Sequence, residues 1–145
     1  MLTSEERTLK RLLQFWASLF LVAGLVFVFF PNLIIQSLNQ LALKIAPSLP
    51  TLPLSDDRFW IVLMFSLMVT LTFLCYSAQD DLRRRKDLIQ FVLISKITSS
   101  LFFLIFFFVD RMALAYLIGM SVDGSIFVIT LIFYSRANRS SQLNL

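Results

Sequence analysis

Residues 88–134 read LIQFVLISKITSSLFFLIFFFVDRMALAYLIGMSVDGSIFVITLIFY, two long apolar runs that contain only four charged residues. Asp110 and Arg111 break the apolar sequence in the middle, while Lys96 and Asp123 lie deep inside the runs themselves. A run of ~20 apolar residues matches the ~30 Å hydrocarbon core of a bilayer. So short a break leaves the two segments no arrangement but that of antiparallel neighbours. An ionisable residue at mid-span is a candidate functional site by default.

Outward from this hairpin the same pattern repeats. Four apolar spans can be drawn, at about 12–30, 59–77, 88–109 and 112–134. The chain is 58% hydrophobic and 15% charged, well below the ~25% charge of soluble domains, and its mean hydropathy is +0.80. The runs are continuous, not the ~10-residue alternating segments of a membrane β-barrel. The expected fold is therefore an all-α integral membrane protein, a single four-helix domain over residues 1–145.

Short loops rich in Lys and Arg are retained in the cytoplasm. Nine of the thirteen basic residues fall on one side of the four spans: Arg7, Lys10, Arg11, Arg83, Arg84, Arg85, Lys86, Arg136 and Arg139. Lys44, Arg58 and Arg111 fall on the other. Both termini are thus expected in the cytoplasm, in a bacterial cytoplasmic (inner) membrane. Trp16 and Tyr134 would mark one interface and Trp60 the other, as aromatic belts do. The net charge of +4 is mostly this topology signal, with no basic face on a soluble module to suggest nucleic acid. The first run is longer than a ~7–15-residue signal-peptide core and reads as an uncleaved span.

Between the spans the punctuation is legible. Thr3 followed by Glu6 is a capping-box pattern opening the first helix, and Pro31 disfavours its continuation. Residues 33–46 place Ile34, Leu38, Leu41 and Ile45 at helical spacing, which predicts an extracytoplasmic amphipathic helix lying in the interface. Pro47, Pro50 and Pro53 keep the following stretch out of a helix. Ser55 is a candidate N-cap for the second span, with Asp56 and Asp57 where the helix dipole favours negative charge. Residues 135–145 are expected to form a polar tail.

Lys96 and Asp123 stand at nearly the same depth, within roughly 3 Å at ~1.5 Å rise per residue. They are expected to form a buried ion pair or a proton relay, with Ser99, Ser100, Tyr116 and Thr130 as candidate hydrogen-bond partners. Gly119, Ser121, Gly124 and Ser125 surround the acid, and small residues let membrane helices pack closely. Arg83, Arg84, Arg85 and Lys86 form a basic run suited to anionic lipid or an acidic partner surface.

Function classes are narrowed mainly by what is missing. The chain has no histidine and one cysteine, Cys75, so histidine-ligated metal or haem and Cys-x-x-Cys redox chemistry have no residues to use. No metal site and no cofactor are expected, although phenylalanines crowding the third span are compatible with a bound lipid, quinone or pigment. No nucleophile-and-base set or phosphate-binding loop can be assembled, so no catalytic residues are assigned and the chain is not expected to be an enzyme. The leading expectation is a non-catalytic accessory, structural or assembly subunit of a larger membrane complex, contacting the bilayer and either other transmembrane subunits or itself. The alternative is a small homo-oligomeric proton- or cation-coupled carrier that uses Asp123 and Lys96.

Overall fold

The structure, a computed structural model, describes residues 2–54 and 58–142. Its described residues form five helices: α1 Ser4–Phe29, α2 Leu33–Ile45, α3 Arg58–Asp80, α4 Lys86–Val109 and α5 Leu114–Gln142. Four of them, α1, α3, α4 and α5, are long and apolar enough to cross a membrane. Their outward faces carry exposed Phe15, Val22, Phe73, Phe91, Phe108 and Val122. Water would not tolerate so much contiguous apolar surface, whereas lipid does. The chain is an integral membrane protein.

α1 starts where the sequence says it should. The Thr3 hydroxyl accepts from the Glu6 backbone N–H at 3.2 Å, and Glu6 Oε2 accepts from the Thr3 N–H at 2.7 Å. The capping box thus satisfies two backbone donors that the first turn would leave open. α1 stops at Phe29, ahead of Pro31. The proline-rich stretch 46–54 is non-helical. The Asn39 side chain pins it, donating to Leu52 O at 2.8 Å and accepting from Leu52 N at 2.9 Å. The N-cap expected at Ser55, with Asp56 and Asp57 behind it, lies outside the described residues.

Around the bundle the long helices neighbour one another in the order α1, α3, α4, α5 and back to α1, and α2 rests on α5 and α1. Thr3 and Ser140 hydroxyls meet at 3.0 Å, so the two termini share one end. At that end the polar stretch after residue 134, expected as a tail, continues α5 through Gln142. Its Ala137 is buried, which holds the last turns against the bundle.

The amphipathic stripe of α2 is divided. Ile34 and Leu38 are half-buried, but Leu41 and Ile45 are exposed, and the buried residue is Ala42. A small side chain permits a close approach, so the contact follows Ala42 instead of the larger residues on the stripe. Four large apolar side chains of α2, Leu33, Leu41, Leu43 and Ile45, are left facing outward.

The core is unevenly distributed. Buried residues of α1 run from Glu6 to Gly24, those of α3 from Leu71 to Gln79, and those of α4 from Ile89 to Ser100. Leu13, Cys75, Ala78 and Ile89 are completely buried within it. In α3 and α4 this lies toward the end that holds the termini, while the far end buries Ala42, Ala113 and Ala115. Farther along, 58–70 of α3 and 101–109 of α4 bury nothing. A tight contact of α1 with α3 lies at Gly24, where an added Cβ would stand 3.0 Å from Met68 Cβ and 3.3 Å from the Phe65 ring. Gly24→Val is expected to destabilise the detergent-solubilised protein by about 1–3 kcal/mol, the usual cost of overpacking. Thermal unfolding would reveal it as a lower Tm, and an unshifted Tm would mean that this helix pair is not closely packed.

Candidate functional site

Two charged centres are built into the core, one at each of its limits. The first is formed by the α4–α5 hairpin. The turn is tightened by backbone bonds from Asp110 N to Phe106 O at 3.0 Å and from Ala113 N to Arg111 O at 2.7 Å. From this turn α4 and α5 run back side by side. Lys96 Nζ donates to Asp123 Oδ1 at 2.9 Å, with side-chain exposures of 5% and 14%. The Ser99 hydroxyl donates to the other carboxylate oxygen, Oδ2. Both oxygens of Asp123 are therefore occupied from α4.

α1 also takes part. The Lys96 ammonium lies 4.7 Å from the centroid of the Phe20 ring, within the ~6 Å over which a ring face attracts a cation. The lysine is held between a carboxylate on α5 and an aromatic face on α1. Burial of either charge alone in hydrocarbon costs about 2.5–3.5 kcal/mol on insertion scales. Mutual pairing, the serine and the ring offset much of this.

The remaining candidate partners go elsewhere. Ser100 donates to Met120 O at 2.9 Å, tying α4 to the α5 backbone one turn from the pair. Tyr116 donates to Asp110 Oδ2 at 2.7 Å, because the turn places that carboxylate nearer than Asp123. This bond, with Arg111 beside it, holds the Asp110 carboxyl below its usual range. Thr130 is two turns farther along α5 and accepts from Trp16 Nε1 at 3.0 Å while donating to Ile126 O. Trp16, expected at an interface, is instead buried, and its indole N–H finds that hydroxyl as a partner.

The small residues also separate into two groups. A Cβ on Gly124 would meet Ser100 Oγ at 3.1 Å, and one on Gly119 would meet the Phe103 ring at 2.9 Å. These two glycines admit α4. Ser121 and Ser125 instead face outward and bond their own helix, donating to Leu117 O and Ser121 O. Grooves of about 580 and 630 Å³ flank them, one toward α1 and one toward α4.

The second centre was not evident from sequence. Glu6, apart from capping α1, receives Arg83 in a two-pronged salt bridge, Nε to Oε1 at 2.7 Å and Nη2 to Oε2 at 3.1 Å. The Glu6 side chain is only 3% exposed. A signal for it exists: Glu6 falls on the helical face of Leu9, Leu13 and Phe20, which marks an acid turned inward. Lys86 donates to Asn138 Oδ1, and Arg85 donates to Ser77 O at 3.0 Å with Asp80 nearby. Within the basic run, only the Arg84 side chain is largely free of the fold, 88% exposed with Asp81 3.5 Å away. Arg83, Arg85 and Lys86 act in folding, closing the bundle end.

No group of three or more His, Cys, Asp or Glu side chains that could hold a metal ion occurs among the described residues. Comparison with protein-family models, with characterised proteins and with solved structures finds no match to this chain.

Two stability outcomes follow from these geometries. Lys96→Met leaves Asp123 buried without its cation and is expected to cost about 3–5 kcal/mol, whereas Lys96→Met combined with Asp123→Leu is expected to recover most of it. Additive losses across this double-mutant cycle, read by detergent or thermal unfolding, would mean that the two side chains do not interact. At the other centre, Arg83→Gln strands Glu6 and is expected to cost about 1–3 kcal/mol, while Arg84→Gln changes stability little. Equal effects of the two substitutions would remove Arg83 from the fold-building role.

Proposed function

We propose that this chain is a non-catalytic accessory or assembly subunit of a larger membrane complex, resident in a bacterial cytoplasmic membrane. The observation that carries this reading is the closure of the Lys96–Asp123 pair upon its own chain. Lys96 is met by Asp123 and Phe20, and both Asp123 oxygens are met by Lys96 and Ser99. No buried side-chain nitrogen or oxygen among the described residues is left without a partner. Polar groups so completely engaged serve as a register-fixing clasp, a use attested for buried ionic groups in other folds.

The outward side of α5 supports the subunit part of the reading. Ser121 and Ser125 are exposed small residues one turn apart, with an apolar groove on either side. Another transmembrane helix can approach closely at such a face. Orientation follows from charge. Nine basic residues belong to the end with the termini and three to the other, so the termini face the cytoplasm and α2 lies in the opposite interface. The exposed Leu41 and Ile45 of α2 suit that position.

A second reading is favoured by one detail. The Asp123 side chain keeps 14% of its surface open while Lys96 keeps 5%, as a carboxylate exchanging protons in a small carrier would. Asp123→Asn separates the two. A clasp predicts reduced recovery of folded protein and loss of co-purifying membrane subunits from native membranes. A carrier predicts normal yield of a folded homo-oligomer that no longer moves protons or cations in proteoliposomes, an outcome that would sink the subunit reading.

A further inference from the structure

The far part of the α1–α3 pair is less tightly packed than the rest and encloses a cavity. Beyond Gly24 the buried residues of α1 end, and α3 buries nothing before Leu71. Between them lies a cavity of about 660 Å³, lined by Val28, Phe29, Ile61, Val62 and Phe65, with Asn32 and Arg58 among its polar lining. This volume falls in the ~300–1,000 Å³ range of ligand pockets. Its apolar walls extend from Arg58 to Phe65, about 10 Å along α3 at 1.5 Å per residue.

From this arrangement we propose that the cavity binds an anionic phospholipid of the surrounding bilayer, with an acyl chain between Val28, Ile61, Val62 and Phe65 and its phosphate on the Arg58 guanidinium. Three features converge on that class of ligand. The groove is mainly apolar and open to the outside between the ends of α1 and α3, so in a membrane hydrocarbon occupies it. Arg58 is the first described residue of α3 and is exposed, which puts its charge at the span end, where headgroups lie. A guanidinium binds phosphate with paired N–H donors, a geometry that a zwitterionic headgroup matches but whose charge it partly cancels. Trp60 and Phe59, exposed beside Arg58, supply the aromatic edge common at that depth.

The test is lipid selectivity of the intact chain. Protein reconstituted in vesicles of equal phosphatidylglycerol and phosphatidylcholine is extracted gently, and the lipid retained is counted by native mass spectrometry. The unsubstituted protein is expected to retain phosphatidylglycerol over phosphatidylcholine by about fivefold, as one basic residue at an anionic surface supplies. Arg58→Gln is expected to abolish the preference. Ile61→Trp, which fills the groove and leaves Arg58 in place, is expected to reduce retention of both lipids. Arg84→Gln, at the other end of the bundle, is expected to leave the preference intact. A preference unchanged in Arg58→Gln overturns the proposal, since the guanidinium then plays no part in choosing the lipid. A preference lost in Arg84→Gln overturns it too, by moving the lipid to the opposite end.

Discussion

A lysine and an aspartate cannot stay charged in hydrocarbon unless each has the other within reach, and much of this architecture is what that requirement demands. The pair forms only if α4 and α5 run antiparallel in register, which the tight turn at 110–113 provides. It forms only if the two backbones come close, which Gly124 allows by leaving space for Ser100. Ser99 then completes the carboxylate and Phe20 brings α1 over the ammonium. A buried pair of this kind adds little net stability over apolar side chains of the same size. What it adds is discrimination, because any slip in register would leave two unpaired charges inside the bilayer.

The opposite limit of the core is governed by a related constraint. Glu6 is turned inward, and its carboxylate would be stranded without Arg83, which approaches from the α3–α4 connection. The same residue caps α1, so one side chain couples helix initiation to the closing of the bundle end. Lys86 with Asn138 and Thr3 with Ser140 bring the last turns of α5 into that closure. A cluster of basic residues beside a span is commonly a topology signal, and here three of its four members also hold helices together. Charge placement and fold are therefore not independent in this segment.

Much of this was readable from sequence because it depends on constants of the helix. The spans follow from length and apolarity, and the Lys96–Asp123 meeting follows from counting residues back from a turn at a fixed rise. Ser99 was within reach for the same reason. The destinations of Thr130 and Tyr116 were not, since one depends on α1 standing beside α5 and the other on the shape of the turn. No local pattern encodes the order of helices around a bundle. Ser121 and Ser125 show a different limit: each is two positions from Asp123, about 200° around the helix at 3.6 residues per turn. Grouping them with Gly119 and Gly124 by size overlooks that angle, which alone sends them outward.

Lipid gives helices no hydrophobic reason to associate, so they adhere where polar bonds or close small-residue contacts hold them and separate where neither exists. The packed end of this bundle has both: Glu6–Arg83, Trp16–Thr130, Lys96–Asp123 and the approach at Gly24. Past those contacts, α1 and the first half of α3 present mainly apolar side chains, and a cavity lies between them. The uneven core is thus a consequence of where polar and small residues were placed along the chain. The α1–α3 pair accordingly changes from a stretch whose residues bury one another to one whose apolar surfaces stay open. The Lys96–Asp123 pair stands on the packed side of that change, where each charge has a polar partner at hand.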